Sequence, residues 1–166
     1  MVWPNRAAFG ACLVAALVSD YFDGVIARRL GIATPNLRRL DSVADSVFYV
    51  SALFAAWYLH AELILAYKAG LFILIALEIG RYVFDYWKFG KEASYHMWSS
   101  KLWGLALFFG FFSILALGEG GWPVALAIFA GVMADLEGLS ISLLLRSWKN
   151  DVPTVFHAWQ LRRSGA

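Results

Sequence analysis

Residues 19–45 read SDYFDGVIARRLGIATPNLRRLDSVAD, placing aspartates at 20, 23, 41 and 45 in a chain that is otherwise strongly apolar. Of its 166 residues, 61% are hydrophobic, 17% aromatic and only 16% charged, with a mean hydropathy of +0.63. Soluble domains are nearer half apolar and a quarter charged, so this composition points to a polytopic membrane protein. The quoted stretch marks the boundary between the first two apolar segments, and it is where acids gather.

A membrane span needs roughly 20 mainly apolar residues at 1.5 Å rise each. Segments 7–29, 40–60, 63–88, 100–118 and 122–146 meet that requirement. Turn signals separate them at Thr34-Pro35-Asn36, at His60-Ala61-Glu62 and at Gly118-Glu119-Gly120-Gly121. Trp57, Trp87, Trp98, Trp103, Trp122 and Trp148 lie near these ends, where interfacial anchors belong. The expected fold is therefore all-α, a bundle of about five transmembrane helices forming one membrane domain over residues 1–166. The first apolar run ends in acids rather than in a small-residue cleavage site, so it is read as mature structure and not as a signal peptide.

A net charge of +2 with no basic run interleaved with aromatics argues against a nucleic-acid partner. The lone cysteine, Cys12, excludes an intramolecular disulfide. The distribution of charge is more informative than its sum. Arg28, Arg29, Arg38 and Arg39 follow the first span. Arg81, Lys88, Lys91 and Lys101 join the third to the fourth, and Arg146, Lys149, Arg162 and Arg163 lie in the tail. With 12 of 14 basic residues on one side and only Arg6 and Lys68 opposite, the positive-inside rule puts those regions and the C-terminus in the cytoplasm. Five spans then leave the N-terminus outside, with the acid cluster facing the cytoplasm. Within the tail, Pro153 suits a first helical turn, and Val152, Val155, Phe156 and Trp159 repeat at helical spacing beside Arg162 and Arg163, which predicts an interfacial amphipathic helix.

On a helix Asp20, Gly24, Ala27 and Arg28 share a face with Asp23 at its edge, and Asp41 and Asp45 stack one turn apart. Two carboxylates about 4 Å apart repel by about 4 kcal/mol at an effective dielectric of 20, so four together either keep protons or bind cations. Oxygen ligands without His or Cys favour a hard divalent ion, Mg²⁺ or Mn²⁺. Gly24 and Ala27 clear a strip for close approach to the backbone, and Arg28 supplies a fork suited to phosphate. Taken singly, each residue also fits an ordinary helix contact at the water boundary. Together they suggest a metal-held phosphate ester.

The run D20-YF-D23-G24-VI-A27-R28, eight residues, Leu37, three residues, then D41-SVA-D45 closely resembles the signature of the CDP-alcohol phosphotransferases (CDP-alcohol phosphatidyltransferases). Seven of its eight fixed positions match at the right spacing; the departure is Leu37, where the family has glycine. The resemblance implies a membrane transferase of phospholipid biosynthesis that moves the phosphoalcohol half of a CDP-alcohol, such as CDP-diacylglycerol, to an acceptor hydroxyl and releases CMP. It implies that Asp20, Asp23 and Asp41 bind a pair of divalent ions with Asp45 nearby, and that Asp45 is the general base. Gly24 and Ala27 would admit the nucleotide, with Arg28 near its phosphates. It also implies a homodimer, and six helices with both ends cytoplasmic, so the chain is expected to lack the family's first helix. Leu37 bears on the nucleotide end of the pocket, so a catalytically weakened member is one alternative. A prenyltransferase is disfavoured because its Asp motifs lie in two halves. A cation transporter is disfavoured because the outer halves of the spans carry no acids.

Elsewhere Glu78, Arg81 and Asp85, at i, i+3 and i+7, are able to satisfy one another along one helix face. Arg81 and Lys101 are the candidates for receiving an anionic acceptor or a lipid phosphate. Asp135 and Glu137 in the last span call for a polar cavity or a partner. His60, His96 and His157 have no metal-ligand spacing.

Overall fold

A computed structural model describes residues 5–164 apart from Ala33, without the side chains of residues 28, 35, 36, 38, 39 and 42. The chain is 81% helical, and among the described residues there is no strand. Six helices follow one another: α1 (Arg6–Arg29), α2 (Pro35–Ala66), α3 (Lys68–Phe89), α4 (Trp98–Phe112), α5 (Trp122–Leu144) and α6 (Val155–Arg163). A π-helical turn, Ser113–Leu117, extends α4 and ends at Gly118, whose φ of 75° is in the left-handed region that glycine tolerates. The all-α membrane bundle expected from composition is what the chain forms.

Among the described residues four stretches are long and apolar enough to cross a bilayer: Arg6–Ala27, Val43–Ala66, Trp98–Leu117 and Trp122–Leu144. The segment expected as the third of five spans forms a helix of 22 residues, α3, but Lys68, Glu78, Arg81, Asp85 and Lys88 lower its apolar character. The break expected at His60 is a kink rather than a turn. His60 has φ −140° and ψ 45° inside α2, and the helix continues to Ala66 before α3 starts at Lys68.

The chain divides into two compact units, Met1–Ala66 with Phe108–Gly121, and Tyr67–Leu107 with Trp122–Ala166. In the first, α1 and α2 pack on the π-helical turn. Gly10 lets α1 approach so closely that a methyl group there would lie 3.2 Å from Ala116 Cβ. Arg6 Nη1 donates to the Leu117 carbonyl at 3.1 Å, satisfying a helix-terminal acceptor. Leu13, Ala56, Ile114 and Leu115 are buried.

The link between α1 and α2 positions the acids. Gly31 (φ 68°) stops α1, with Ile32 N–H donating back to Ala27 O at 3.0 Å and Leu30 N–H to Ile26 O at 2.9 Å. The six-to-one bond onto Ala27 with glycine at the left-handed position is the Schellman arrangement. Thr34 then caps α2, its hydroxyl accepting from Leu37 N–H at 3.3 Å, with Pro35 at the first helical position.

In the second unit α3 and α5 run parallel, as shown by contacts that advance together: Gly70 on Ile128, Leu74 on Gly131, Arg81 on Gly138, and Lys88 on Ser142. A core of Tyr95, Met97, Ile141, Leu145, Val152 and Ala158 joins the end of α5 to α6. The expected tail helix is present as α6, and Thr154 Oγ1 accepts from His157 N–H at its start. Val152, expected on an interfacial face, is instead 2% exposed in that core.

Gly131 sits at the tightest helix contact. A Cβ there would fall 2.6 Å from Leu74 Cδ1 and 2.7 Å from Trp103 Nε1, whereas at Gly80 it would meet nothing within 4 Å. Gly131→Val is expected to destabilise by roughly 1–3 kcal/mol through overpacking. Gly80→Ala should hold or raise stability, since alanine gains up to about 1 kcal/mol in a helix interior. Thermal unfolding in detergent of the two variants checks this contrast.

Candidate metal and nucleotide site

The reversal at Leu30–Thr34 sets the heights of the carboxylates. Asp23 and Asp41 each lie nine residues from Ile32, and Asp20 and Asp45 lie twelve and thirteen residues from it. In the structure Asp20, Asp41 and Asp45 each offer a carboxylate oxygen within 4.8 Å of the others. Asp23 falls outside that close group but is near enough to Asp41 for their charges to repel. Gly24 and Ala27, one and two turns beyond Asp20 on α1, are half-buried. The backbone of Arg28 continues α1, while its side chain lies outside the described residues.

Three mutually repelling carboxylates with only oxygen donors fit a hard divalent cation, which neutralises the charge and satisfies several lone pairs at once. All three acids are exposed, so an incoming ion and its remaining water ligands have access. Leu37 stands in the first turn of α2 with 39% of its surface exposed, held by its N–H bond to Thr34 rather than by core packing.

One residue that no motif marks joins this region. Tyr49, one turn beyond Asp45, stacks on Phe111 with ring centroids 5.9 Å apart at 26°, within range of the charges of Asp45 and Asp20. The only sequence signal for it is its place in the series 41, 45, 49 on one helix face.

The second unit holds a separate polar network. Arg81 Nη2 donates to Glu78 Oε1 at 2.9 Å and Arg81 Nε to Asp135 Oδ1 at 3.1 Å, while Asp85 Oδ2 lies 3.9 Å from Nη1. The local ion pairs expected along α3 are present, and Asp135 finds its partner across the helix contact. Ser142 Oγ donates to Asp85 Oδ1, so the Tyr95 hydroxyl, 2.9 Å away, donates to Ser142. Burial pushes the Tyr95 phenol up from its usual range, which keeps it a donor. The guanidinium of Arg81 is thus engaged by carboxylates, and Lys101 lies over the Trp98 ring, 4.6 Å from its centroid. His96 Nε2 lies 3.8 Å from Asp151, and no described histidine joins the acid group.

Comparison with protein families matches residues 3–143 to the model described as CDP-alcohol phosphatidyltransferase. The chain belongs to this family. No curated protein and no solved structure gave a match. As a CDP-alcohol phosphatidyltransferase-type membrane enzyme, it is a transferase of phosphate-containing groups, with a CDP-alcohol substrate and a lipid environment. The family generally uses divalent metal ions, and the cluster of Asp20, Asp41 and Asp45 is suited to hold them.

Ligands that bind only the folded state stabilise it. Mg²⁺ or Mn²⁺ should therefore raise the melting temperature of the detergent-solubilised protein, and CMP should raise it further only with metal present. Asp20→Asn and Asp41→Asn should each remove both shifts. An equal melting temperature for wild type with and without metal would mean that these acids simply face water.

Proposed function

We propose that the protein transfers a phosphatidyl group from CDP-diacylglycerol to an acceptor hydroxyl with release of CMP, at a site on the cytoplasmic side of the membrane. The observation that carries this reading is the convergence of Asp20, Asp41 and Asp45 within 4.8 Å on a hairpin bearing the family's motif. Asp20, Asp23 and Asp41 hold two divalent ions, Mg²⁺ or Mn²⁺, with Asp45 beside them. When bound, the ions supply charge neutralisation for the attacking and leaving oxygens. Gly24 and Ala27 leave room for the nucleotide, and Arg28 pairs with its phosphates.

Asp45 acts as the general base. Its carboxylate takes the proton of the acceptor hydroxyl as that oxygen bonds to the phosphorus of the lipid, and the pyrophosphate bridge breaks with its electron pair leaving on CMP. Asp45 is suited to this role because it lies one turn beyond Asp41, at the far end of the acid series in α2, and is the carboxylate least needed to hold the pyrophosphate.

An apolar groove along α1 supports a lipid-borne CDP. Ala7, Gly10, Ala11, Val14, Ala15 and Val18 line it together with Phe112 and Ala116, and it ends two residues short of Asp20. Acyl chains require such a wall, whereas a soluble CDP-head group does not. The basic residues after the first span and in the tail support the cytoplasmic orientation.

The direct test is CMP release from CDP-diacylglycerol by the purified protein with and without Mg²⁺. Metal-dependent release that requires an added alcohol is expected, and cation flux without CMP would overturn the reading. Removing a general base costs roughly 10² to 10⁴ in rate. Asp45→Asn should slow turnover by about that range and leave CMP affinity in Mg²⁺ intact, whereas Asp23→Asn should damage both. Near-wild-type turnover of Asp45→Asn would refute the base assignment, and loss of nucleotide binding would put Asp45 in the metal shell.

Leu37→Gly restores the family residue at an exposed first-turn position, where glycine costs at most about 1 kcal/mol. It should raise kcat/KM for the CDP-lipid with little change in melting temperature. An unchanged or lower kcat/KM would show that the leucine does not narrow the nucleotide pocket.

A further inference from the structure

Ten residues after the last apolar span ends at Leu144, α6 begins at Val155 and is held firmly against the protein. Val152 and Ala158 are buried in the core with Tyr95, Met97, Ile141 and Leu145, and Val155 and Leu161 pack on its edge. Spacing of three and four residues puts that anchoring face on one side of the helix and Phe156, Gln160 and Arg163 on the other. On the outer side Phe156 is 60% and Trp159 39% exposed, large values for aromatic side chains on a helix this well anchored. Their rings stack, with centroids 5.9 Å apart and 27° between planes.

The polar chemistry of this outer face is of one sign. α6 contains Arg162 and Arg163 in its last turn and no acidic residue. The Arg163 guanidinium lies over the Trp159 ring, 3.8 Å from its centroid. Stacking occupies the flat face of a guanidinium and leaves its in-plane N–H donors directed outward, the fork that matches phosphate. A stacked aromatic pair with Arg163 over it, so close in sequence to the end of a bilayer-crossing helix, matches the boundary between acyl chains and headgroups.

We propose that the outer face of α6 docks on the anionic headgroups of the lipid leaflet, with Phe156 and Trp159 entering the interface and Arg163 engaging lipid phosphates. A lipid surface is the occupant rather than another protein because the helix is tied to the end of a membrane span and because its exposed charge is entirely positive. Each arginine near an anionic surface shifts binding roughly five-fold. The docking is independent of the catalytic reading, since none of these residues lies in the acid hairpin.

The test uses the full chain in lipid nanodiscs, with Cys12→Ala removing the only native cysteine and Gln160→Cys carrying an environment-sensitive fluorophore on the exposed face. Nanodiscs of purely zwitterionic lipid are compared with discs containing about a third anionic lipid, near the composition at which surface charge attracts basic segments. The expected result is brighter, blue-shifted emission in the anionic discs, quenched by headgroup-region spin labels. Arg163→Gln should abolish the dependence on lipid charge. Phe156→Ser with Trp159→Ser should abolish the blue shift, and melting temperatures in detergent should stay unchanged for both variants. Equal emission in the two lipid compositions would overturn the proposal. So would a charge dependence that survives Arg163→Gln.

Discussion

The chain reversal at Leu30–Thr34 is the constraint on which the acid site depends. Glycine at position 31 adopts a left-handed conformation that a side chain would resist, and this ends α1 sharply. Thr34 and Pro35 then start α2 at once, through a side-chain cap and a proline that needs no helical N–H. The link brings Asp20, Asp41 and Asp45 together, each with a carboxylate oxygen within 4.8 Å of the others, and Asp23 close to Asp41. A longer or looser link would spread the four acids, and their mutual repulsion would then favour separation over clustering.

That repulsion explains why the cluster is a chemical feature and not a packing device. Buried or half-buried acids that serve structure are paired, as the second unit illustrates: Asp135 and Glu78 bind Arg81, and Asp85 accepts from Ser142. The acids of the hairpin instead face one another. A divalent cation would relieve that repulsion, which fits the family's general use of divalent metal ions. The two units thus use the same side chains differently: around Arg81 three carboxylates share one guanidinium, whereas among the described residues Asp20, Asp41 and Asp45 gather on one another.

Much of this was legible from the order of residues alone. Composition and span length determined an all-α membrane fold, because only helices satisfy their own backbone hydrogen bonds in lipid. The motif from Asp20 to Asp45 determined the family and the candidate site, since both helices and the turn between them lie within one short stretch and their geometry is local. Tertiary structure decided what depends on contacts between distant segments. It put Asp135 on Arg81 and Ser142 on Asp85, pairs separated by more than 50 residues that no helical spacing reveals. It brought Tyr49 beside Phe111 through packing on α4, and it moved Val152 from an expected interfacial face into the core under α6. It also showed the break at His60 as a single non-helical residue within α2. The physical reason for the division is range: periodicity, caps and turns act over a few residues and are written in sequence, whereas side-chain partners across helices are chosen by packing, which only the folded chain determines.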